Sequence, residues 1–212
     1  LGIAFDGDAD RLICVDEKGT VVDGDQLMAI FAARMLRDQM LNRSTLVTTV
    51  MSNMGLEITL KTMGGNMVRT AVGDRYVVER MLADGYNLGG EQSGHIIFLD
   101  HNTTGDGILS ALQLLDVMLT EDKPLSELAS IMERFPQHLV NVRVKKRKPL
   151  DEFPEISRTV DQVKEKLGDE GRLLIRPSGT EPVIRVMIEG KDQDRVVELA
   201  EETAATIKRV MA

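Results

Sequence analysis

The sequence predicts an α/β fold, a mixed α/β layered domain followed by a smaller α+β C-terminal domain. Three observations carry that prediction. Between about residues 20 and 130, short β-branched or apolar segments alternate with stretches of helical periodicity, as in layers of strands and helices. After Phe135-Pro136 the character changes, and "LVNVRVK" alternates apolar with polar residues as a half-exposed strand does. The 212 residues, 42% hydrophobic and 28% charged, suffice for one large domain or two small ones with proper cores.

Residues 1–5 and 12–16 read as strands flanking an aspartate-rich loop, and "DEKG" then supplies a turn. From Asp25 to about Leu41, Leu27, Phe31 and Met35 fall on one helical face, with Met28, Ala32 and Leu36 beside them. "TLVTTV" (45–50) is a β-branched strand, and a helix follows to about Met63, ended by Gly64-Gly65. "NMVRTAV" (66–72) is a strand that leads into a helix through Met81 and Leu82. "HIIFL" (95–99) is another strand, and 105–119 a strongly apolar helix that ends before Pro124. In the C-terminal part, a helix near 157–167 precedes "RLLIRPSGTEPVIRVMIEG", two strands joined by a Pro/Ser/Gly/Thr loop. The last helix starts near Asp192 and lines up Val196, Leu199, Thr203, Ile207 and Val210.

Composition narrows the function. Acidic residues outnumber basic ones 34 to 26, a formal charge of −8, the reverse of what a nucleic-acid surface requires. The basic run Lys145-Lys146-Arg147-Lys148 reads as a solvated connector. No apolar run approaches the roughly 18 residues of a membrane span, so neither nucleic acid nor membrane is an expected partner. The single cysteine, Cys14 in "LICV", excludes an internal disulfide, reads as a buried small hydrophobe and suits a reducing, cytoplasmic compartment. The first ten residues lack the basic start of a signal peptide. A leucine opening a strand-like run leads us to expect the C-terminal part of a longer protein.

Four constellations carry chemistry. In "FDGDADRL", Asp6, Asp8 and Asp10 repel one another unless a hard cation such as Mg²⁺ sits among them. They converge only if the segment curls, which Gly7 and the small Ala9 permit. Arg11 beside such a site suits a phosphoryl group shared with the metal. An EF-hand calcium loop spaces acids similarly but requires glycine where Arg11 stands, and a solvated acidic turn is the plainer alternative. In "GGEQSGH", Glu91, Gln92 and Ser93 offer the carboxylate, amide and hydroxyl that would read sugar hydroxyls. His95 there is either a proton carrier or a histidine hydrogen-bonded at a strand start. In "RPSGTEPVIR", two arginines, the Ser178 and Thr180 hydroxyls and the backbone around Gly179 would suit a phosphate cradle stiffened by Pro177 and Pro182, with a plain hairpin turn, which needs neither both arginines nor both hydroxyls, as the alternative. Asp74, in "AVGDRYV", either reaches a site from a strand end or caps the following helix.

These motifs, in this order, resemble the α-D-phosphohexomutase family. The resemblance spans nearly the whole chain: "DGDADR" is similar to its metal loop, "GEQSGH" to its sugar loop and "RPSGTEP" to its C-terminal phosphate loop. It implies a four-domain enzyme, with residues 1–20 the end of the second domain, 21–132 the third and 137–212 the fourth. It further implies that Asp6, Asp8 and Asp10 bind Mg²⁺, and that Arg11 and His95 are catalytic, at the phosphoryl group and in proton handling respectively. Glu91 and Ser93 would hold sugar hydroxyls, Asp74 and Arg75 would contact substrate without an assigned role, and Arg176, Ser178, Gly179, Thr180 and Arg185 would grip the non-reacting phosphate. The implied activity is that of an isomerase, moving a phosphoryl group between sugar positions through a phosphoserine and a bisphosphate. "VGDRYV", "GGEQSGH" and "LDHNTTGDG" resemble the branch that acts on glucosamine phosphates for amino-sugar and cell-wall precursors, with glucose or mannose phosphate as the alternative. The family's "ASHNP"-like phosphoserine loop does not occur here; "MSNMG" (51–55) lacks its His-Asn-Pro, so Ser52 is rejected as nucleophile. The expected partners are therefore a hexosamine phosphate and the N-terminal domains of the same enzyme, with homodimerisation left open. Alone, the chain is expected to be inactive, at most a sugar-phosphate binder. A metal-dependent phosphatase would share the aspartates but has no use for "GEQSGH".

Overall fold

Short-range patterning and capping build the elements, and buried apolar clusters within each of two units collect them. The computed structural model describes residues 1–145, 149–178 and 181–211, and divides into two units, Leu1–Arg134 and Phe135–Ala212.

The first unit opens with an antiparallel sheet of β1 (Gly2–Phe5), β2 (Leu12–Val15) and β3 (Val21–Val22). Helix α1 (Gly24–Arg37) starts at Asp23, whose carboxylate accepts from the Asp25 and Gln26 amides while the Gln26 side chain accepts from Asp23 N–H, a capping box. It stops short of Leu41 because Gln39 turns left-handed at φ 58° and the Met40 amide folds back onto Met35 O. Then follow β4 (Thr45–Thr49), α2 (Met54–Thr62), β5 (Asn66–Thr70), α3 (Asp74–Asp84), β6 (Leu88–Gly90), β7 (Ile96–Phe98), α4 (Gly107–Glu121) and α5 (Leu125–Ala129). The second sheet has the order β5-β4-β6-β7, parallel except for the antiparallel β6–β7 pair. Gly64, at φ +79°, ends α2 as the sequence predicts.

Three elements differ from the sequence reading. Strand β3 and helix α5 are too short for periodicity to show. Strand β6 contains Gly89 and Gly90, residues that suggest a loop; they are strand glycines because their neighbours leave no room. A Cβ on Gly89 would lie 2.5 Å from Met81 Sδ, and one on Gly90 2.5 Å from His95 O. The core gathers Leu12, Leu27, Phe31, Leu46, Leu56, Leu88 and Leu114, with Phe31 edge-on to Phe98 at 5.1 Å.

In the second unit, β8 (Gln137–Arg143), β9 (Gly171–Pro177) and β10 (Val183–Gly190) form an antiparallel sheet of order β8-β10-β9. Helices α6 (Pro154–Leu167) and α7 (Gln193–Met211) close one face over Val142, Ile184, Val186 and Ile188. On α7, Val196, Leu199, Thr203 and Ile207 are buried and Val210 half-buried, the stripe that the sequence predicts. Of the basic run, Lys146, Arg147 and Lys148 lie outside the described residues. No helix among the described residues is long and apolar enough to cross a membrane.

Candidate functional site

The β1–β2 connection is short enough that its aspartates must share a small space. One carboxylate oxygen from each of Asp6, Asp8 and Asp10 lies within 4.8 Å of the others. The curl comes from Ala9, which turns left-handed at φ 60° with its amide on Asp6 O at 3.2 Å; Gly7 does not adopt a positive φ. Arg11 is half-exposed, its Nε 3.6 Å from Asp6 and 3.8 Å from Asp10. Burial, then the neighbouring Asp6 and Asp8 carboxyls, push Asp10 above the usual carboxylate range, and His95 opposes the shift. Asp10 Oδ1 is buried without a hydrogen-bond partner. Three clustered carboxylates, with Asp10 Oδ1 lacking a hydrogen bond, fit a hard divalent cation. Strands flank the loop, as an EF-hand would not allow.

The loop between β6 and β7 is tied directly to this cluster. Leu12 N–H donates to Gly94 O at 3.0 Å, Arg11 and His95 form an isolated β-bridge, and Gly24 N–H donates to Gln92 O at 3.1 Å. Gly94 is required there, since at φ +91° its Cβ would sit 2.1 Å from Leu12 O. His95 is 3% exposed, with Nε2 3.4 Å from Asp10 Oδ2. Glu91 accepts the Gly73 amide at 2.9 Å, and the Ser93 hydroxyl stands 3.5 Å from its other oxygen. Gly73 and Glu91 both follow the C-terminal ends of parallel strands, where α/β sheets place ligands.

Asp74 is the first residue of α3 and not its cap; Gly73 holds the cap position, with no side-chain capping bond. Arg75 is exposed and pairs with Glu79 at 2.7 Å, one turn along the same helix. Ser52 is fully buried and hydrogen-bonded to the Thr48 hydroxyl. Cys14 is buried too, and burial pushes its thiol up to about 11. A cavity of about 320 Å³ lined by Ile30, Arg34, Val117, Glu121, Leu128 and Ile131 includes none of the motif residues.

In the second unit, β9 and β10 pair antiparallel. The register sets Arg176 opposite Arg185, an arrangement of like charges that costs stability. Both Nε atoms are buried without hydrogen-bond partners, and burial followed by the Arg185 charge holds Arg176 below the usual arginine value. Ser178 is buried, its amide on Val183 O at 2.8 Å. Gly179 and Thr180 lie outside the described residues. Sequence reasoning passed over two neighbours of the candidate residues: Gly73, whose amide ties Glu91, and Asn141, which β8 places beside Arg185. The alternation in "LVNVR" could have pointed to Asn141, because it puts Asn141 on the face opposite Val140 and Val142.

Comparison with known proteins identifies the family. Residues 23–135 match the family model described as phosphoglucomutase/phosphomannomutase, alpha/beta/alpha domain III, and residues 139–206 match its C-terminal domain. The chain is 61% identical over 209 residues to a phosphoglucosamine mutase of Syntrophotalea carbinolica, covering 99% of this chain and 46% of that protein. It is 60% identical over the same length to the phosphoglucosamine mutase of Pelobacter propionicus. The chain thus spans about half the length of the curated relatives it matches. In fold it is similar to a crystal structure of Aspergillus fumigatus N-acetylphosphoglucosamine mutase in complex with GlcNAc-6P and magnesium (TM-score 0.80, 21% identity, 97% of this chain and 52% of that one). Together these matches place the chain in the phosphoglucomutase/phosphomannomutase family, the α-D-phosphohexomutases, as a C-terminal portion.

Proposed function

We propose that the chain is the metal-, sugar- and phosphate-reading half of a phosphoglucosamine mutase, which interconverts glucosamine 6-phosphate and glucosamine 1-phosphate. The observation that carries this reading is the direct stitching of the aspartate cluster to the Glu91 loop through Leu12–Gly94 and Arg11–His95. Chemistry at a metal-bound phosphoryl group and reading of a sugar thereby share one rigid frame. The names of the relatives at about 60% identity support the choice of sugar.

In this reading, residues 1–20 end the second domain of four, 21–132 form the third and 137–212 the fourth. Asp6, Asp8 and Asp10 would hold Mg²⁺, which when bound would offset charge on a transferring phosphoryl group. Arg11, free on its outer side, would engage the remaining phosphoryl oxygens. Glu91, held by the Gly73 amide, and Ser93 would orient sugar hydroxyls, with Asp74 and Arg75 at the margin. Arg176 and Arg185, with Ser178, Gly179 and Thr180, would grip the phosphate that does not react. A cradle that reads charge and a loop that reads hydroxyls can accept the sugar in either of two orientations. A mutase needs that property, because a phosphoserine contributed by the N-terminal half must reach both ends of the bisphosphate.

The test is a mutase assay of the full gene product with Mg²⁺ on glucosamine, glucose and mannose 6-phosphates. Preference for glucosamine 6-phosphate is expected. Preference for glucose or mannose phosphate would keep the family and overturn the substrate, and no turnover on any of them would leave only a sugar-phosphate-binding protein.

A further inference from the structure

A cavity of about 320 Å³ opens where α1, α4 and α5 meet, away from every motif residue. Helix α5 is five residues long, too short to cover the flanks of the longer α1 and α4. From α1 come Ile30, Ala33, Arg34 and Arg37, whose spacing of i, i+3, i+4 and i+7 puts them on one face. Helix α4 adds Val117 and Glu121 one turn apart, and Leu128 and Ile131 complete the wall. Ile30 and Val117 are buried, which makes the floor apolar. Ligand sites run from about 300 to 1,000 Å³ and join apolar walls to a few polar groups, and this cavity falls at their small end. Its charged groups are not equally committed. Arg37 pairs with Glu121, and Lys123 with Glu127 at 3.0 Å. Arg34 donates through Nε to Asp38, outside the cavity, while its Nη1 is buried without a hydrogen-bond partner. Among the described residues lining the cavity, Arg34 alone holds such an unused buried donor.

From this we infer that the cavity is a binding site for a small monocarboxylate with an aliphatic body. Ile30, Ala33, Val117 and Leu128 take the hydrocarbon, and Arg34 takes the carboxylate. An arginine stays charged at any ordinary pH, and a buried N–H without an acceptor is costly, so an anionic acceptor relieves both. The Arg34 side chain is 25% exposed, so a small torsional adjustment brings its donor to a ligand oxygen while α1 stays in place. The lining also sets the ligand's charge. Arg34, Arg37 and Lys123 stand against Glu121 and Glu127, a surplus of one positive charge that a monoanion neutralises. A phosphate dianion would exceed that surplus and face two glutamates, so sugar phosphates are poor occupants. The inference goes beyond the mutase reading and does not depend on it, because none of that reading's residues lines the cavity.

The probe is hexanoate, with hexanamide as its uncharged counterpart. Each is titrated into the 212-residue chain while NMR follows the methyl groups of Ile30, Val117, Leu128 and Ile131. Saturable shifts at those methyls are expected with hexanoate. Hexanamide should bind about tenfold more weakly, since a charged acceptor hydrogen-bonds more strongly than a neutral one. Arg34→Met keeps a chain of similar reach without the donor, and should bind the two compounds alike. Ala33→Phe, which fills the cavity from α1, should lose the shifts with both. Equal wild-type affinity for hexanoate and hexanamide would overturn the inference, as would a hexanoate preference that survives in Arg34→Met. So would shifts that never saturate, or that arise only around Arg176 and Arg185. Should either variant fail to fold, the wild-type ratio of the two affinities decides by itself. Mutase turnover is read separately, so failure here leaves the proposed function standing.

Discussion

Each aspartate in the "DGDADR" loop carries opposite weights with and without metal. Without metal, three carboxylates within 4.8 Å repel one another; with metal, the same three would be ligands. Asp8→Ala should therefore lower Mn²⁺ affinity by at least about tenfold, in line with lost metal ligation, yet raise the melting temperature of the metal-free chain. Isothermal titration and thermal unfolding with and without metal check both signs; unchanged affinity would return the loop to a solvated acidic turn. Cys14 gives the pH dependence. Its folded thiol titrates at about 11, whereas an unfolded cysteine titrates near ~8.5. The raised value means that the folded chain holds the proton longer, so the thiol's contribution is intact below the unfolded value. It is lost as pH rises through that window. At pH 8 the folded chain should resist iodoacetamide and react only on unfolding, as mass spectrometry would show.

Element pairing brings together the two arginines of the proposed phosphate cradle. Antiparallel register between β9 and β10 forces Arg176 against Arg185, a pairing worth about 0.2–1 kcal/mol of destabilisation for like charges directly opposite. An anion bound between them relieves the repulsion and stabilises the chain by mass action. Arg185→Met should raise the melting temperature in phosphate-free buffer and abolish the upward shift that inorganic phosphate produces in the wild type. Calorimetry at zero and 50 mM phosphate (on the order of the millimolar range that linkage requires for a weak ligand) separates the two effects. A phosphate shift that survives in the variant would move the anion site elsewhere. The hairpin Glu91–His95 is an element of the same kind, rigid because Gly94 alone fits against Leu12 O.

For the whole molecule, the proposed function gives the chain groups that would hold and read a sugar phosphate, while Ser52 in "MSNMG" is buried against Thr48 and would not react. The 212 residues by themselves should bind Mn²⁺ and phosphate yet show no mutase turnover, as a coupled assay for glucosamine 1-phosphate would report. Turnover by this chain would overthrow the assignment of the phosphoserine to the N-terminal half. The division into Leu1–Arg134 and Phe135–Ala212 sets the proposed metal and sugar loops in one unit and the arginine pair in the other.

What the sequence determined by itself was local. Helices α1, α4 and α7, strands β4 and β10 and the motif order are legible because periodicity, caps and turn glycines act between neighbours along the chain. Short β3 and α5 escaped because they are held by packing and not by pattern, and β6 because close approach of Met81 and Val47, not backbone turning, requires its glycines. Only the tertiary structure set Glu91 on the Gly73 amide, Arg176 against Arg185, and His95 beneath Gly105 and beside Asp10. Those contacts join residues tens of positions apart, through sheet register and backbone approach. Sequence names such side chains, and the fold alone assigns each its neighbour.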